Sequence, residues 1–410
     1  MPDFLPFPGI RYDLATVGTD LGPLVAPPYD VIDDELCRSL EAAHEQNAVR
    51  VILPRDHERE GDRYERAAAT FAAWEASGVL RRDDHPRFYT YRMEFRDTHG
   101  VDRHTTGVLG ALVLPTADDG SVLPHERTLP KAKSDRLALL RAMRTNVDPI
   151  WGLSTTDGLT ALLDGAEPLS SCTDVDGVRH HLGAVPDARV DAVRAAVGAG
   201  PLVLADGHHR YETAHAYRNE VAAAGRDTAG ADAIMTFVVE LADDQLCIEP
   251  IHRLLTVPAG VDVRALLADA FVVTDAGPNT PEGVDALEDR MRADGGVGLV
   301  DDRGIALLVA RPEIATAALA SEPEPVRSTD AALVEAVVVP RLPQATFEYR
   351  HDAHAVAALV DKGNASAGVL LRPVSVADTR AAAMAGLRMP QKTTFFTPKP
   401  RTGMVFRRLD

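Results

Sequence analysis

The chain has 410 residues, 45% apolar and 25% charged, with a formal net charge of -18. That length exceeds one ordinary core and predicts about two or three domains of a globular protein. The acidic balance works against docking on DNA, RNA or an anionic membrane, whose phosphates demand local positive charge. The opening MPDFLPFPGIRYDL lacks the basic start and apolar stretch of a signal peptide, and no window nears the roughly 20 apolar residues of a membrane span. A cytoplasmic protein with neither a nucleic-acid nor a membrane partner is expected.

In chain order, a Pro-rich lead containing VAPPYDVI enforces extended or turn backbone. Helices are predicted over 33–46, capped by Asp33 or Asp34, and over 62–77, closed by Gly78. RFYTYRMEF (87–95) and GVLGALVLP (107–115) bracket a turn-like DTHG and predict a long hairpin, with LPHERTLPKAK directly after it. Ser134 then caps a helix, SDRLALLRAMRTN, that places Leu137, Leu140 and Met143 on one face. Residues 154–187 read as loop-rich, and VDAVRAAV (190–197) as a short helix. PLVLA (201–205) is a buried strand, and HHRYETAHAYRNEVAAAG a helix ended by Gly225. From about 230 the strands IMTFVVEL, VGLV and IALLVA alternate with the helical VDVRALLADA, EGVDALEDRMRA and DAALVEAVVVP, predicting a second α/β unit. The last thirty residues lack strong periodicity yet carry Met389 to Thr394.

The three cysteines, Cys37, Cys172 and Cys247, are odd in number and far apart, which suggests neither a disulfide framework nor a cysteine zinc site. Lysine usage is more informative. Of 43 basic residues five are lysine, and four of these fall in two short stretches: Lys131 and Lys133 in LPHERTLPKAK, Lys392 and Lys399 in PQKTTFFTPK. An ammonium is not interchangeable with a guanidinium fork, so both stretches are candidate sites.

A strand, a Gly turn and a helix gather unpaired backbone N–H groups and the positive end of a helix dipole at one spot, which is an anion site. In LADGHHRYETA, Gly207 allows close approach to a phosphate, and Arg210 and a histidine add donors. Two other readings stay open. Asp206, His208 and His209 are possible metal ligands, although adjacent helical residues point about 100° apart; or the histidines merely occupy the helix start while Tyr211 packs inside.

GHHRYETA resembles the phosphate-binding box of ParB-type proteins, G-E-R-R-Y-x-A, and the Gly-x-His-Arg turn of sulfiredoxins. DGHHR more specifically resembles the loop of the archaeal free serine kinase family. Pro124-His125-Glu126 and Pro390-Gln391-Lys392-Thr393-Thr394 are similar to that family's Pro-His-Glu and Pro-Lys-Thr-Thr motifs, in the same order. The interval from Glu126 to Asp206 is longer here and Gln391 interrupts the last string, so ATP and ADP both stay open as donor. PPYDV, LPHE, DGHHRYETA and PQKTT together also resemble a bacterial family of unknown function over the full length.

The resemblance implies an α+β fold, with a ParB/sulfiredoxin-like core in 1–240 and a second α/β domain in 241–410 whose segment 389–400 returns to the active site. It implies a kinase acting on the hydroxyl of free serine. Glu126 is then the base, with His125 and Asp206 beside it, and Gly207, His208, His209, Arg210, Lys131, Lys133 and Arg136 hold the nucleotide phosphates. Lys392, Thr393, Thr394 and Asp30 meet the substrate, and Mg²⁺ sits on the phosphates with Asp206 as a possible ligand. Asp30 has a second reading as a cap of the helix after it. The alternatives are a ParB-like nucleotide-binding regulator, and a metal-dependent phosphatase or hydrolase built on Asp206, His208, His209 and His125.

Overall fold

The computed structural model of the protein describes residues 1–55, 62–116, 119–124 and 133–409, the side chains of Lys133 and Ser134 excepted. These residues form two compact units, one of residues 1–124, 133–247 and 398–409, the other of residues 248–397. Both mix helices with sheets, an α+β arrangement.

The first unit is built on a nine-stranded mixed sheet. Its strands are β1 (Phe4–Leu5), β2 (Tyr89–Arg96), β3 (Asp102–Val113), β4 (Val122–Pro124), β5 (Ile150–Ser154), β6 (Glu167–Thr173), β7 (Arg179–Ala184), β8 (Leu202–Asp206) and β9 (Ala233–Glu240). They run in the order β4-β8-β5-β9-β3-β2-β7-β6, with β1 also on β3. β9 is central because AIMTFVVE is buried along all but its last residue, as a strand covered on both faces must be. The hairpin β2–β3 forms where alternation and the DTHG turn predict it.

Helices α1 (Asp34–Ala43), α2 (Arg63–Ala76), α3 (Lys133–Met143), α4 (Val190–Gly198) and α5 (His208–Ala223) accompany this sheet. Val193 and Val197 of α4 pack with Phe4, Phe88, Leu112 and Val238. α5 buries Arg210, Thr213, Ala214, Tyr217 and Val221, a stripe at helical spacing that includes a charged residue. Tyr217 and Val221 pack against Leu137 and Leu140 of α3.

The segment 398–409 completes this unit. Phe406 is fully buried, and Arg407–Arg408 pair antiparallel with Thr145–Asn146. Arg401 Nε donates to Asp174 at 2.5 Å and its backbone N–H to the Tyr91 hydroxyl at 3.1 Å; Asp174 also meets His180 Nε2 at 2.8 Å.

The second unit carries a six-stranded sheet of β10 (His252–Thr256), β11 (Phe271–Gly277), β12 (Val297–Asp301), β13 (Gly304–Ala310), β14 (Thr346–Arg350) and β15 (Ala367–Leu370), in the order β11-β13-β12-β15-β10-β14. Val284, Leu287 and Met291 of α6 (Pro281–Asp294) pack with Val356 and Val360 of α7 (Ala353–Asp361).

Three expectations change. Residues 154–187 are not mainly loop: β6 and β7 form an antiparallel hairpin within them. Strand IMTFVVEL does not open the second unit but pairs with β3 and β5 in the first sheet. α3 starts at Lys133, so Ser134 lies in its first turn and not at its cap.

Candidate functional site

Strand β8 carries Asp206 to its C-terminal end, Gly207 turns with φ 86°, and α5 begins at His208. A Cβ on Gly207 would stand 2.7 Å from Ile150 Cγ2. Left-handed backbone and lack of space both demand glycine here. Among the described residues no side chain caps α5, and its first turn holds no acidic residue. The first N–H groups of a helix have no intrahelical acceptor and lie at the positive end of its dipole.

Around the turn lies a buried ionic chain. Asp206 accepts from Lys399 Nζ at 2.8 Å on one oxygen and from an Arg210 terminal nitrogen at 2.8 Å on the other. The second terminal nitrogen of Arg210 bonds to the Asp148 carboxylate and to the Pro149 carbonyl, the latter at 2.7 Å. Asp148 and Arg210 are each 9% exposed. Burial pushes the Asp148 carboxyl up, and Arg210 and Arg136 offset part of that. Burial also pulls Asp206 upward, but Lys399 and Arg210 outweigh it and hold this carboxyl well below the usual range. For Arg210 burial disfavours the charge, and Asp148 and Asp206 reverse that, so the guanidinium stays protonated.

Tyr29 and Arg136 form the flank. Burial pushes the Tyr29 hydroxyl up to about 12, with Arg210 opposing and Asp30 adding to the rise. Arg136 lies over the Tyr29 ring at 4.1 Å, donates to the Ile52 carbonyl at 2.7 Å and grips Asp135 at 2.8 and 2.5 Å. Asp135 accepts in turn from Tyr64 at 2.6 Å and Arg63 at 2.8 Å. Upstream, β4 runs parallel to β8, with Pro124 opposite Leu204.

A family described as "Protein of unknown function (DUF1015)" matches residues 4–332, most of the chain. The chain belongs to this family. No curated protein matches it. Similar solved structures include a free serine kinase mutant in complex with AMP, at 12% identity and TM-score 0.37, covering 68% of this chain and 84% of that one. A conserved hypothetical protein from Pyrococcus furiosus shows 12% identity and TM-score 0.37, covering 70% and 92%. SbnI with a C-terminal truncation, from Staphylococcus aureus, shows 13% and 0.37, covering 72% and 85%. Likeness at that level leaves fold and activity to be argued from this chain's own residues.

In this DUF1015 chain the structure gathers Asp206, Gly207, His208, His209 and Arg210 at one turn, with Arg136 and Asp30 near enough to act electrostatically on Asp148. Two of the expected phosphate donors have protein partners: the terminal nitrogens of Arg210 meet Asp148, Asp206 and the Pro149 carbonyl, and Arg136 meets Asp135 and the Ile52 carbonyl. Asp30 sits exposed in a short 3-10 helix, Tyr29–Val31, and does not cap α1; Asp33 does, accepting from Leu36 N–H at 2.8 Å.

Lys392, Thr393 and Thr394 belong to the second unit. There Thr393 donates to the Pro390 carbonyl at 2.6 Å, and the Lys392 carbonyl accepts from Arg253 at 3.1 Å. His125, Glu126 and Lys131 lie outside the described residues, as does the Lys133 side chain. Sequence reasoning missed Asp148 and Tyr29. Lys399 carried a signal, the scarcity of lysine, but no assigned role.

Proposed function

We propose that this DUF1015 chain is a nucleotide-dependent kinase that phosphorylates the hydroxyl of free L-serine, its first unit serving as a ParB/sulfiredoxin-like core. The observation that carries this reading is the parallel pairing of β4 with β8, Pro124 opposite Leu204. The strand that runs toward His125 and Glu126 and the strand that ends in Asp206 leave the sheet at the same edge. Carboxyl ends of neighbouring parallel strands frame ligand crevices.

Phosphoryl transfer requires an acceptor hydroxyl held in line, a destination for its proton and neutralisation of the phosphate charge. Glu126 takes the proton. The first-turn N–H groups of α5 hold the phosphates, assisted by His208 or His209 and by Lys131 and Lys133. Arg210 acts one step back: it fixes Asp206 and Asp148, and Asp206 stays ionised and holds Lys399 at the turn.

Among the described residues no three His, Cys, Asp or Glu side chains form a metal cage. Mg²⁺ needs none when phosphate oxygens and water supply most of its ligands, and exposed Asp30 suits a single carboxylate contact. When bound, Mg²⁺ offsets phosphate charge.

Purified protein incubated with ATP or ADP, Mg²⁺ and a panel of free amino acids should yield O-phosphoserine. Absence of any phosphorylated hydroxy amino acid with either nucleotide would overturn the reading. Glu126→Gln should keep nucleotide binding and lose turnover by roughly 10²- to 10⁴-fold.

A further inference from the structure

Near the start of segment 398–409 the hydrogen bonds close into a ring. The backbone N–H of Arg401 donates to the Tyr91 hydroxyl at 3.1 Å. That hydroxyl, an acceptor toward Arg401, gives its own proton to His180 Nδ1 at 2.8 Å, and His180 Nε2–H meets Asp174 at 2.8 Å. Asp174 returns to Arg401, accepting from its Nε at 2.5 Å. The ring begins and ends on one residue and requires the neutral Nε2–H form of His180. Burial favours that form by pulling the His180 pKa down, against the opposing effect of Asp174. Arg401, Tyr91, His180 and Asp174 are all buried, so water does not compete for these bonds.

Two residues before Arg401 stands Lys399, whose ammonium donates to Asp206 at 2.8 Å. The backbone around it is stiff: Pro398 and Pro400, both buried, have a fixed φ, and each keeps the residue ahead of it out of the helical region. Thr402 ties the far side by exchanging two backbone hydrogen bonds with Ala26, at 2.8 and 3.0 Å. Lys399 is thus carried on a strap whose place is set by the ring. Its residue type is informative. The buried carboxylates Asp174, Asp301 and Asp330 are paired by arginines, Arg401, Arg264 and Arg372. Asp206, beside the Gly207 turn, takes one of the chain's five lysines in addition to Arg210. A guanidinium fork suits a fixed tie, whereas an ammonium is a compact point charge of the kind that binds phosphate.

We propose that the ring of Arg401, Tyr91, His180 and Asp174 positions Lys399 at the Gly207 turn, where its ammonium meets a phosphate of the nucleotide. Arg401 and Tyr91 are then positioning residues and Lys399 the group that touches substrate, which rests on the kinase reading. Displacing such a group by about 1 Å costs on the order of 10²-fold in rate.

The test acylates the full chain with the N-hydroxysuccinimide ester of acetic acid and follows each lysine by peptide mass spectrometry, in wild type, Tyr91→Phe and Asp174→Asn. Exposed Lys362 is the reference. Lys399, with a side chain 10% exposed, should react on the order of tenfold more slowly than Lys362 in wild type, and about fivefold faster in each variant than in wild type. Calorimetry with ATP and ADP should show affinity weakened about tenfold by Tyr91→Phe, and no further weakening when Tyr91→Phe is added to Lys399→Met, because the two act through one contact. Unchanged Lys399 labelling in both variants would overturn the positioning. A loss of affinity from Tyr91→Phe that persists in the Lys399→Met background would overturn it as well, since the ring would then be a prop for the whole unit. A wild type that binds neither nucleotide overturns the kinase reading and the phosphate contact with it, while the labelling still decides whether the ring holds Lys399.

Discussion

Replacing Arg210 by Met tests the ionic chain most directly. The substitution removes the hydrogen-bonding partner of Asp148 and one of the two cations on Asp206. Asp206 keeps Lys399 at 2.8 Å, so the penalty falls chiefly on Asp148, which is 9% exposed. Removing one member of a buried pair costs about 3–5 kcal/mol, because the other charge is left in low dielectric. Asp148, already pushed upward by burial, escapes part of this by taking up a proton, so the loss should shrink as pH falls. The assay is urea unfolding followed by intrinsic fluorescence: the chain's two tryptophans, Trp74 and Trp151, are both buried in the first unit. Adding Asp148→Asn to Arg210→Met should recover at least half of the loss. A single-variant loss under about 1 kcal/mol, or a double variant no more stable than the single, would show that the pair is not the buried couple described.

Gly207→Ala should destabilise the first unit by at least about 1–2 kcal/mol, the cost of left-handed backbone alone, and the contact with Ile150 adds to it; thermal unfolding measures this. In acid, Asp174 and Asp206 set the sign. Burial raises Asp174, but His180 and Arg401 bring it down to about 2, and Asp206 is likewise depressed. Carboxyls with depressed folded values contribute stability above the unfolded value of about 4 that is lost as pH falls toward 2. Asp148, raised, contributes with the opposite sign, so Asp148→Asn should steepen the acid loss seen by tryptophan fluorescence. Lys399→Met should raise the Asp206 carboxyl and, on the kinase reading, weaken nucleotide binding measurably by calorimetry.

The strand, glycine and helix at 202–223 and the hairpin at 89–113 are legible because local rules and the fold agree there: apolar runs, turn residues and helical spacing. β6 is not. EPLSSCT is polar and largely exposed, an edge strand held by its hairpin pairing with β7, and its sequence carries no periodic apolar trace. Asp148 reads in sequence as a residue before proline in a turn. Its pairing with Arg210, 62 positions away, exists because β5 and β8 lie side by side with an irregularity between Leu204 and Asp206. Lys399 joins Asp206 across 193 positions, and only its rarity as a residue type marked it beforehand.

The return of residues 398–409 to the first unit bears on how the chain is made. A nascent polypeptide halted after Cys247 has β8, Gly207 and α5 but lacks the ammonium for Asp206, the guanidinium for Asp174 and the strand for Thr145–Asn146. About 150 residues of the second unit must leave the ribosome before those partners arrive. The surroundings of the Asp206–Arg210 turn are therefore among the last features to be completed after translation, and on the kinase reading a fragment ending at the first domain boundary should remain inactive however well its sheet has formed.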